Sequence, residues 1–298
     1  MNVYQQYITD CFSSYKPCQL GNCSDQDCKC DCVQSYNCVQ CLSDMYNNPI
    51  HSYRTYNCVP ITFSYVIRYA NRYSSEIYTI LNCLQKLFER STIKVISLGC
   101  GPATELIALD KKCSESNTSF SFIGFDTNHI WNNCQSILAK NFQQKGISVH
   151  FLEKNLDKDF RFLSNTDLLI LNYVISDIYK HDYEKLPQFF SSLTDIFMSM
   201  PNNSYIIIND VNSYNMGRDE IENWVFNLNF ANYNIIKLGC VFECSKRNEN
   251  ARFNKFNNGI IPNTSFVFSN PTIQGIESFY DNVNECRSAF VVLKKEAL

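Results

Sequence analysis

From residue 92 onward the chain alternates short, near-continuous runs of Ile, Val, Leu and Phe with amphipathic stretches. No other feature constrains its folding as much. Apolar runs without polar alternation are strands buried on both faces, and the segments between them must supply the helices that cover those faces. The runs are IKVISLG (93–99), SFIGFD (121–126), ISVHFLE (147–153), DLLILNY (167–173), SYIIIND (204–210) and NYNIIKLGCVF (232–242), and SAFVVLKK (288–295) reads as an edge or hairpin strand. Helical segments pass through TELIALDKK, NHIWNNCQSILAKNFQQKG and LPQFFSSLTDIFMSM. The expected fold is α/β, a Rossmann-like, mostly parallel seven-stranded sheet with helices on both faces. The Asn-rich stretch RNENARFNKFNNGIIPNTS reads as an insertion, near 245–275, ahead of a further strand SFVFS.

Before the first strand, Val66, Tyr69, Tyr73, Ile77, Leu81, Leu84 and Phe88 recur at helical spacing after Pro60. They predict one long linking helix, or two broken near Ser74. Arg68, Arg72 and Glu76 fall on its other surfaces and read as a solvated face, with a substrate-binding role as the alternative.

The first 58 residues are of a different kind, holding nine of the 16 cysteines. No apolar run reaches the roughly 18 residues of a membrane span, and the start lacks the basic-then-apolar build of a secretory leader. The expectation is therefore a cytoplasmic or nuclear protein, with an organelle matrix as the alternative, in which clustered cysteines point to metal. Cys38-x2-Cys41 can place both thiolates on one tetrahedral ion. The candidate ligands are Cys18, Cys23, Cys28, Cys30, Cys32, Cys38, Cys41, His51 and Cys58, with zinc expected ahead of an iron–sulfur cluster and a free-thiol or disulfide-bonded lobe as the alternative. The chain thus divides into a small Cys-rich lobe (1–58), a helical linker or cofactor lid (59–91) and the α/β domain (92–298).

Composition narrows the function. A chain that is 45% hydrophobic and 18% charged is neither disordered nor fibrous, and a formal charge of −3 excludes a polycation that coats nucleic acid. The most informative motif is LGCGPATE at the end of the first strand. Gly99 and Gly101 permit a tight turn and close approach of backbone to a ligand, and the next helix presents its N-terminal amides. Asp126 ends the second strand 25 residues after Gly101, where a carboxylate accepts both hydroxyls of a ribose. The third glycine of a dinucleotide fingerprint is missing, and Pro102 removes an amide that a pyrophosphate would use. A nicotinamide dinucleotide is disfavoured, while an adenosyl cofactor without phosphates is not.

VISLGCGPATE, GFDTN, FLEKNLDKD and DLLILNYVIS, in this order, resemble the four cofactor motifs of class I S-adenosylmethionine-dependent methyltransferases, over roughly residues 92–242. The resemblance implies that Gly99, Cys100 and Gly101 frame the methionine part of S-adenosyl-L-methionine and that Asp126 holds its ribose. It places Thr127 and Asn128, or His129, beside the adenine, with Asn155, Leu156 and Asp157 at the adenine edge. Asn172 and Tyr173 would stand between cofactor and substrate. Ser97 occupies the place of the family's usual Asp or Glu, and Glu105 is a candidate to supply that carboxylate. The fourth motif lacks the NPPY form, which weakens amide or base-nitrogen methylation by that route. GCGP and DLLILNYVISDI also faintly resemble methyltransferase-like proteins of mitochondrial ribosome assembly.

Candidate catalytic residues are Asn172, Tyr173 and Asp210. Asp210, at the end of the fifth strand, is either a base or a helix cap, and Tyr173 either bounds a methyl channel or closes the sheet edge. The expected activity is methyl transfer to a macromolecule, with RNA preferred over protein and with a protein partner through the Cys-rich lobe. Residues 59–150 carry nine Lys/Arg against six Asp/Glu and would supply the basic surface. The alternatives are a catalytically silent scaffold, suggested by Ser97, a small-molecule methyltransferase, and a dinucleotide-dependent oxidoreductase.

Overall fold

The computed structural model of the chain describes residues 2–16, 42, 56, 58–154, 165–213, 216–229, 233–243, 253–256, 259–262, 264–280 and 285–297. Eight strands among these residues form one sheet: β1 (Thr92–Leu98), β2 (Ser119–Asp126), β3 (Val149–Glu153), β4 (Leu168–Asn172), β5 (Tyr205–Val211), β6 (Tyr233–Phe242), β7 (Gly259–Ile261) and β8 (Ser288–Ala297). Their order is β3-β2-β1-β4-β5-β8-β6-β7. All run parallel except β8, which lies antiparallel between β5 and β6.

Three strand expectations need correction. The sheet has eight strands among the described residues, not seven, because β7 emerges from the Asn-rich stretch read as an insertion and pairs with β6. Nearby, the expected strand SFVFS contributes only an isolated bridge, Ser265 to Glu285. SAFVVLKK is not an edge strand. Its residues from Ser288 to Leu293 are buried without alternation, the pattern of an interior strand; only its place near the chain end suggested an edge.

The helices are α1 (Val3–Ser14), α2 (Val59–Asn82), α3 (Thr104–Ser116), α4 (Asn132–Gln143), α5 (Ile175–His181), α6 (Leu186–Ser199) and α7 (Arg218–Asn227). Successive strand residues point to opposite faces, so each strand feeds two cores. Ile93, Val95, Leu168, Ile170 and Ile207 pack with α1, α2, α3 and α4. Ile96, Leu98, Leu169, Leu171, Ile206 and Ile208 pack with α5, α6 and α7.

α2 is one helix. Ser74 and Ser75 are fully buried, with Ser74 Oγ donating to the Thr104 carbonyl (2.8 Å) and Ser75 Oγ donating to Asn71 O (2.6 Å) while accepting the Val267 N–H (2.8 Å). The serines are packing contacts, not a break. α1 was not anticipated within the Cys-rich segment. Its Tyr4, Tyr7, Ile8 and Cys11 join the core of the sheet. Among the described residues no helix is long and apolar enough to cross a membrane.

If α1 belongs to this core, Ile8→Ala lowers unfolding free energy by about 2–5 kcal/mol, the usual cost of emptying a buried aliphatic site. Urea denaturation checks this, and a loss below about 0.5 kcal/mol, typical of a surface site, would show that α1 does not pack there.

Candidate active site

The parallel strands end at one edge of the sheet, and several of the residues singled out in the sequence lie there. After β1 the chain turns through Gly99 (φ +61°) and Gly101 (φ +47°), a backbone region that glycine enters without steric cost. A Cβ on Gly99 would stand 2.8 Å from Val174 Cγ2, so this turn also needs glycine to approach the turn after β4. Ala103 holds a left-handed conformation (φ +56°) at the start of α3.

Asp126, at the end of β2, is fixed against this turn. Its Oδ2 accepts the Gly101 N–H (2.7 Å) and its Oδ1 the Asn128 N–H (2.8 Å). Burial raises its pKa, and the same amides work against that rise by favouring the carboxylate. The rest of the turn is held from outside. Gln135 Nε2 donates to Gly101 O (2.7 Å), and Tyr7 of α1 donates from its hydroxyl to Pro102 O (3.1 Å).

Ser97 and Glu105 meet, since the Ser97 hydroxyl donates to Glu105 Oε1. α3 thus brings a carboxylate alongside position 97. Glu105 is 1% exposed, and burial pushes its pKa up to about 7 against the favourable serine hydrogen bond. Cys100 lies in the turn, but its side chain is buried and packs onto Gly124, whose Cβ position would be 2.7 Å from Cys100 Sγ. Burial raises the thiol pKa well above its ordinary value. Thr127 is exposed, and Asn128 donates to Tyr56 O (2.8 Å) while accepting the Ile130 N–H (3.1 Å). Asn155, Leu156 and Asp157 lie outside the described residues.

The ends of β4 and β5 meet α2 in a polar network. Asn209 Nδ2 donates to Asn172 Oδ1 (2.9 Å) and Glu76 Oε2 (3.2 Å), and Asn172 Nδ2 donates to Thr104 Oγ1 (3.5 Å) at the head of α3. Tyr173 has a positive φ of 60°, which a side chain with a Cβ adopts at a cost. Its hydroxyl donates to Glu76 Oε2 (2.9 Å) and accepts from Arg72 Nη2 (3.1 Å), and its ring lies 4.2 Å from that of Tyr73. Burial keeps the phenol well above its ordinary pKa. Glu76 Oε1 accepts the Arg287 N–H (2.9 Å) and pairs with Arg72 Nε (3.4 Å).

This corrects the solvated-face reading of α2. Glu76 is 0% exposed, and Arg72 turns inward to it and to Tyr173. Sequence reasoning missed Glu76, Asn209 and Tyr7. A signal for Glu76 was present: Tyr65, Val66, Ile67, Tyr69 and Ala70 surround the helix with apolar groups, so its polar residues had few routes to water. Beside the network, Tyr56, Tyr65, Tyr69, Tyr73, Trp131 and Tyr173 form an aromatic cluster, with Trp131 Cε2 3.6 Å from the Cβ position of Gly101.

Asp210, the residue after Asn209, has its carboxylate at the start of α5. Its Oδ2 accepts the N–H groups of Ile175 (2.8 Å) and Ser176 (3.1 Å), and its Oδ1 that of Val211 (2.7 Å). It caps the start of α5 and is 1% exposed, with its pKa pushed by burial to about 6.

Among the described residues, no group of three or more His, Cys, Asp or Glu is placed to hold a metal ion. Cys58 is buried beside Leu42, Ile61 and Tyr65. Cys18, Cys23, Cys28, Cys30, Cys32, Cys38, Cys41 and His51 lie outside the described residues.

Sheet order defines a doubly wound, Rossmann-like α/β protein. No known protein family and no curated protein sequence matches the chain. Solved structures with a similar arrangement include the plantazolicin methyltransferase BpumL in complex with SAH (12% identity, 99% of this chain and 95% of that one, TM-score 0.42). Others are a SAM-dependent methyltransferase from Archaeoglobus fulgidus (15%, 75% and 94%, 0.39) and the small RNA methyltransferase HEN1 (12%, 74% and 25%, 0.44). A Listeria monocytogenes protein provisionally assigned to the class I methyltransferases matches at 11% identity and a TM-score of 0.41, and the chain spans 60% of its length. Likenesses this slight decide nothing about function, and the fold rests on the strand order itself.

Two outcomes test the site. Glu76→Leu strands Arg72 and the other donors around that carboxylate, and lowers stability in urea by about 3–5 kcal/mol, as expected when one partner of a buried ion pair is removed. Glu105 has a folded pKa of about 7 against an ordinary 4.5, so its contribution to stability is full below about pH 4.5 and lost as pH rises through 7. Glu105→Gln should therefore gain on the parent protein as pH rises from 4.5 to 8, by on the order of 3 kcal/mol. Denaturation curves across that range check the sign, and a gap that shrinks with pH contradicts it.

Proposed function

We propose that the chain is an S-adenosylmethionine-dependent methyltransferase that takes its cofactor between the Gly99–Gly101 turn and Asp126. The observation that carries this reading is the Asp126 carboxylate, fixed by the Gly101 and Asn128 amides at the end of β2 beside a turn of two positive-φ glycines. A carboxylate held in this way keeps lone pairs for a ribose diol, and a turn with no Cβ lets a ligand approach the backbone. When bound, the cofactor supplies a sulfonium-activated methyl group.

The residues present fit such a ligand. The buried Ser97–Glu105 pair offers a carboxyl group poised to ionise beside an ammonium, because a nearby cation favours the charged form. That pair supports the enzyme over a silent scaffold, the alternative suggested by the absence of an acid at position 97. Pro102 and the non-glycine Thr104 leave a pyrophosphate poorly served. At the mouth, Asn172 and Tyr173 are held by Asn209 and Glu76 to orient an acceptor. The Tyr173 proton is committed to Glu76, so the phenol acts as an orienting hydroxyl and not as a base. Asp210 acts as the cap that places the turn after β4. We assign the acceptor to a macromolecule, RNA ahead of protein. The support is the basic balance of residues 59–150, although Arg72, Arg90, Lys111 and Lys145 within that span are engaged in ion pairs.

Calorimetry with S-adenosylmethionine, S-adenosylhomocysteine and NAD tests the cofactor directly. Both adenosyl ligands should bind and NAD should not. Asp126→Ala should weaken S-adenosylhomocysteine by at least about tenfold, the value of one or two hydrogen bonds to a charged group. A folded protein that binds neither adenosyl ligand would end this reading.

A further inference from the structure

α1 and α4 lie against one another beside the Gly99–Gly101 turn, and each sends a side chain to it. Tyr7 of α1 donates to Pro102 O (3.1 Å), and Gln135 of α4 donates to Gly101 O (2.7 Å). Farther along the two helices, Asn141 Nδ2 donates to Asp10 Oδ2 (3.4 Å). Two cysteines adjoin these residues. Cys11 follows Asp10, one turn after Tyr7, and Cys134 precedes Gln135; both are 0% exposed.

The two thiols meet. Cys11 Sγ is within hydrogen-bonding reach of the Cys134 thiol and of the Tyr7 hydroxyl, and Cys134 Sγ also donates to Thr62 Oγ1 on α2 (3.5 Å). Sulfurs in such contact must close by about 2 Å to form a disulfide, a shift that two neighbouring helices can share. While the helices stay packed the pair is inert. Burial holds the Cys11 thiol well above its ordinary pKa, and a buried, protonated thiol is a poor nucleophile. Local opening of α1 uncovers Cys11 together with the face of α4 that it covers.

We propose that Cys11 and Cys134 are a redox pair whose disulfide staples α1 to α4 and holds the Gly99–Gly101 turn in one arrangement. Its effect on the cofactor rests on the methyltransferase reading; the cross-link itself does not. The oxidant is a low-molecular-weight disulfide. With α1 open, the Cys11 thiolate attacks it, forming a mixed disulfide and releasing one small thiol. As α1 closes, Cys134 gives up its proton and displaces the second small thiol from Cys11. Two protons and two electrons thus pass to the oxidant, and one S–S bond replaces another. The staple closes a loop of more than a hundred residues, and it keeps the Tyr7 and Gln135 side chains on the two carbonyls of the turn.

The test incubates the full chain with glutathione disulfide and maps its cysteine linkages by peptide mass spectrometry. A Cys11–Cys134 linked peptide is expected, lost again on treatment with dithiothreitol. The oxidised protein should melt about 5 °C above the reduced one and bind S-adenosylhomocysteine at least about threefold more tightly, because the turn is already ordered. Cys11→Ala, treated in parallel, should show neither change, which separates this pair from the other cysteines. Cys134→Ala takes its place if the first variant does not fold. Cys11 recovered as a free thiol, or joined to another cysteine, overturns the proposal. So does a melting temperature or a measurable cofactor affinity that oxidation leaves unmoved, or moves equally in the variant. A cross-linked protein that melts higher but binds no S-adenosylhomocysteine in either state removes the methyltransferase reading alone.

Discussion

The carboxylate of Glu76 accepts from Arg72 on its own helix, from Tyr173 after β4, from Asn209 on β5 and from the backbone before β8. A charge buried this completely is tolerated only when its lone pairs are filled and a cation stands beside it. Here each donor comes from a different part of the chain, so satisfying the charge fixes α2 against the functional edge of the sheet. The left-handed backbone of Tyr173 belongs to the same arrangement. Such a conformation persists where surrounding contacts over-determine it, and Tyr173 is held by its ring, its hydroxyl and its N–H to Asn209 O (2.8 Å).

The Gly99–Gly101 turn is shaped by a second set of long-range contacts. Asp126 holds it from β2, Gln135 from α4 and Tyr7 from α1. Val174, packed where a Cβ on Gly99 would stand, ties this turn to the one after β4. Asn172 bonded to Thr104 makes the same link in polar atoms. The Gly99–Gly101 turn and the ends of β4 and β5 are therefore one connected edge, and Asp210 caps the start of α5 beside them.

Much of this was legible in the residues. Unalternating aliphatic runs identified β1, β2, β4 and β5, and the glycines marked the tight turn after β1, because burial on two faces and positive φ each demand particular residue types. Less legible was anything that depends on which distant segment covers a residue. Glu76 looks like an ordinary exposed helix charge until β5 and β8 close over it. Ser97 looks like a lost acid until α3 brings Glu105 alongside. Asp210 was readable as base or cap, and only the tertiary structure shows the Ile175 and Ser176 amides on its carboxylate.

The sequence by itself determined the layered α/β architecture, the continuity of apolar strands and the location of the glycine turn with its acidic partner. Local chemistry sufficed for these, since strand burial, turn conformation and strand-end placement are written in short windows. Tertiary structure alone decided that β8 enters the interior of the sheet, that α1 joins the core, and that the polar stripe of α2 faces inward. Those outcomes depend on which surfaces meet across more than a hundred residues of chain, as with Glu76 and Asn209 (133 apart) or Glu76 and Arg287 (211 apart). A carboxylate's environment is set by its neighbours in space, and no short window contains them.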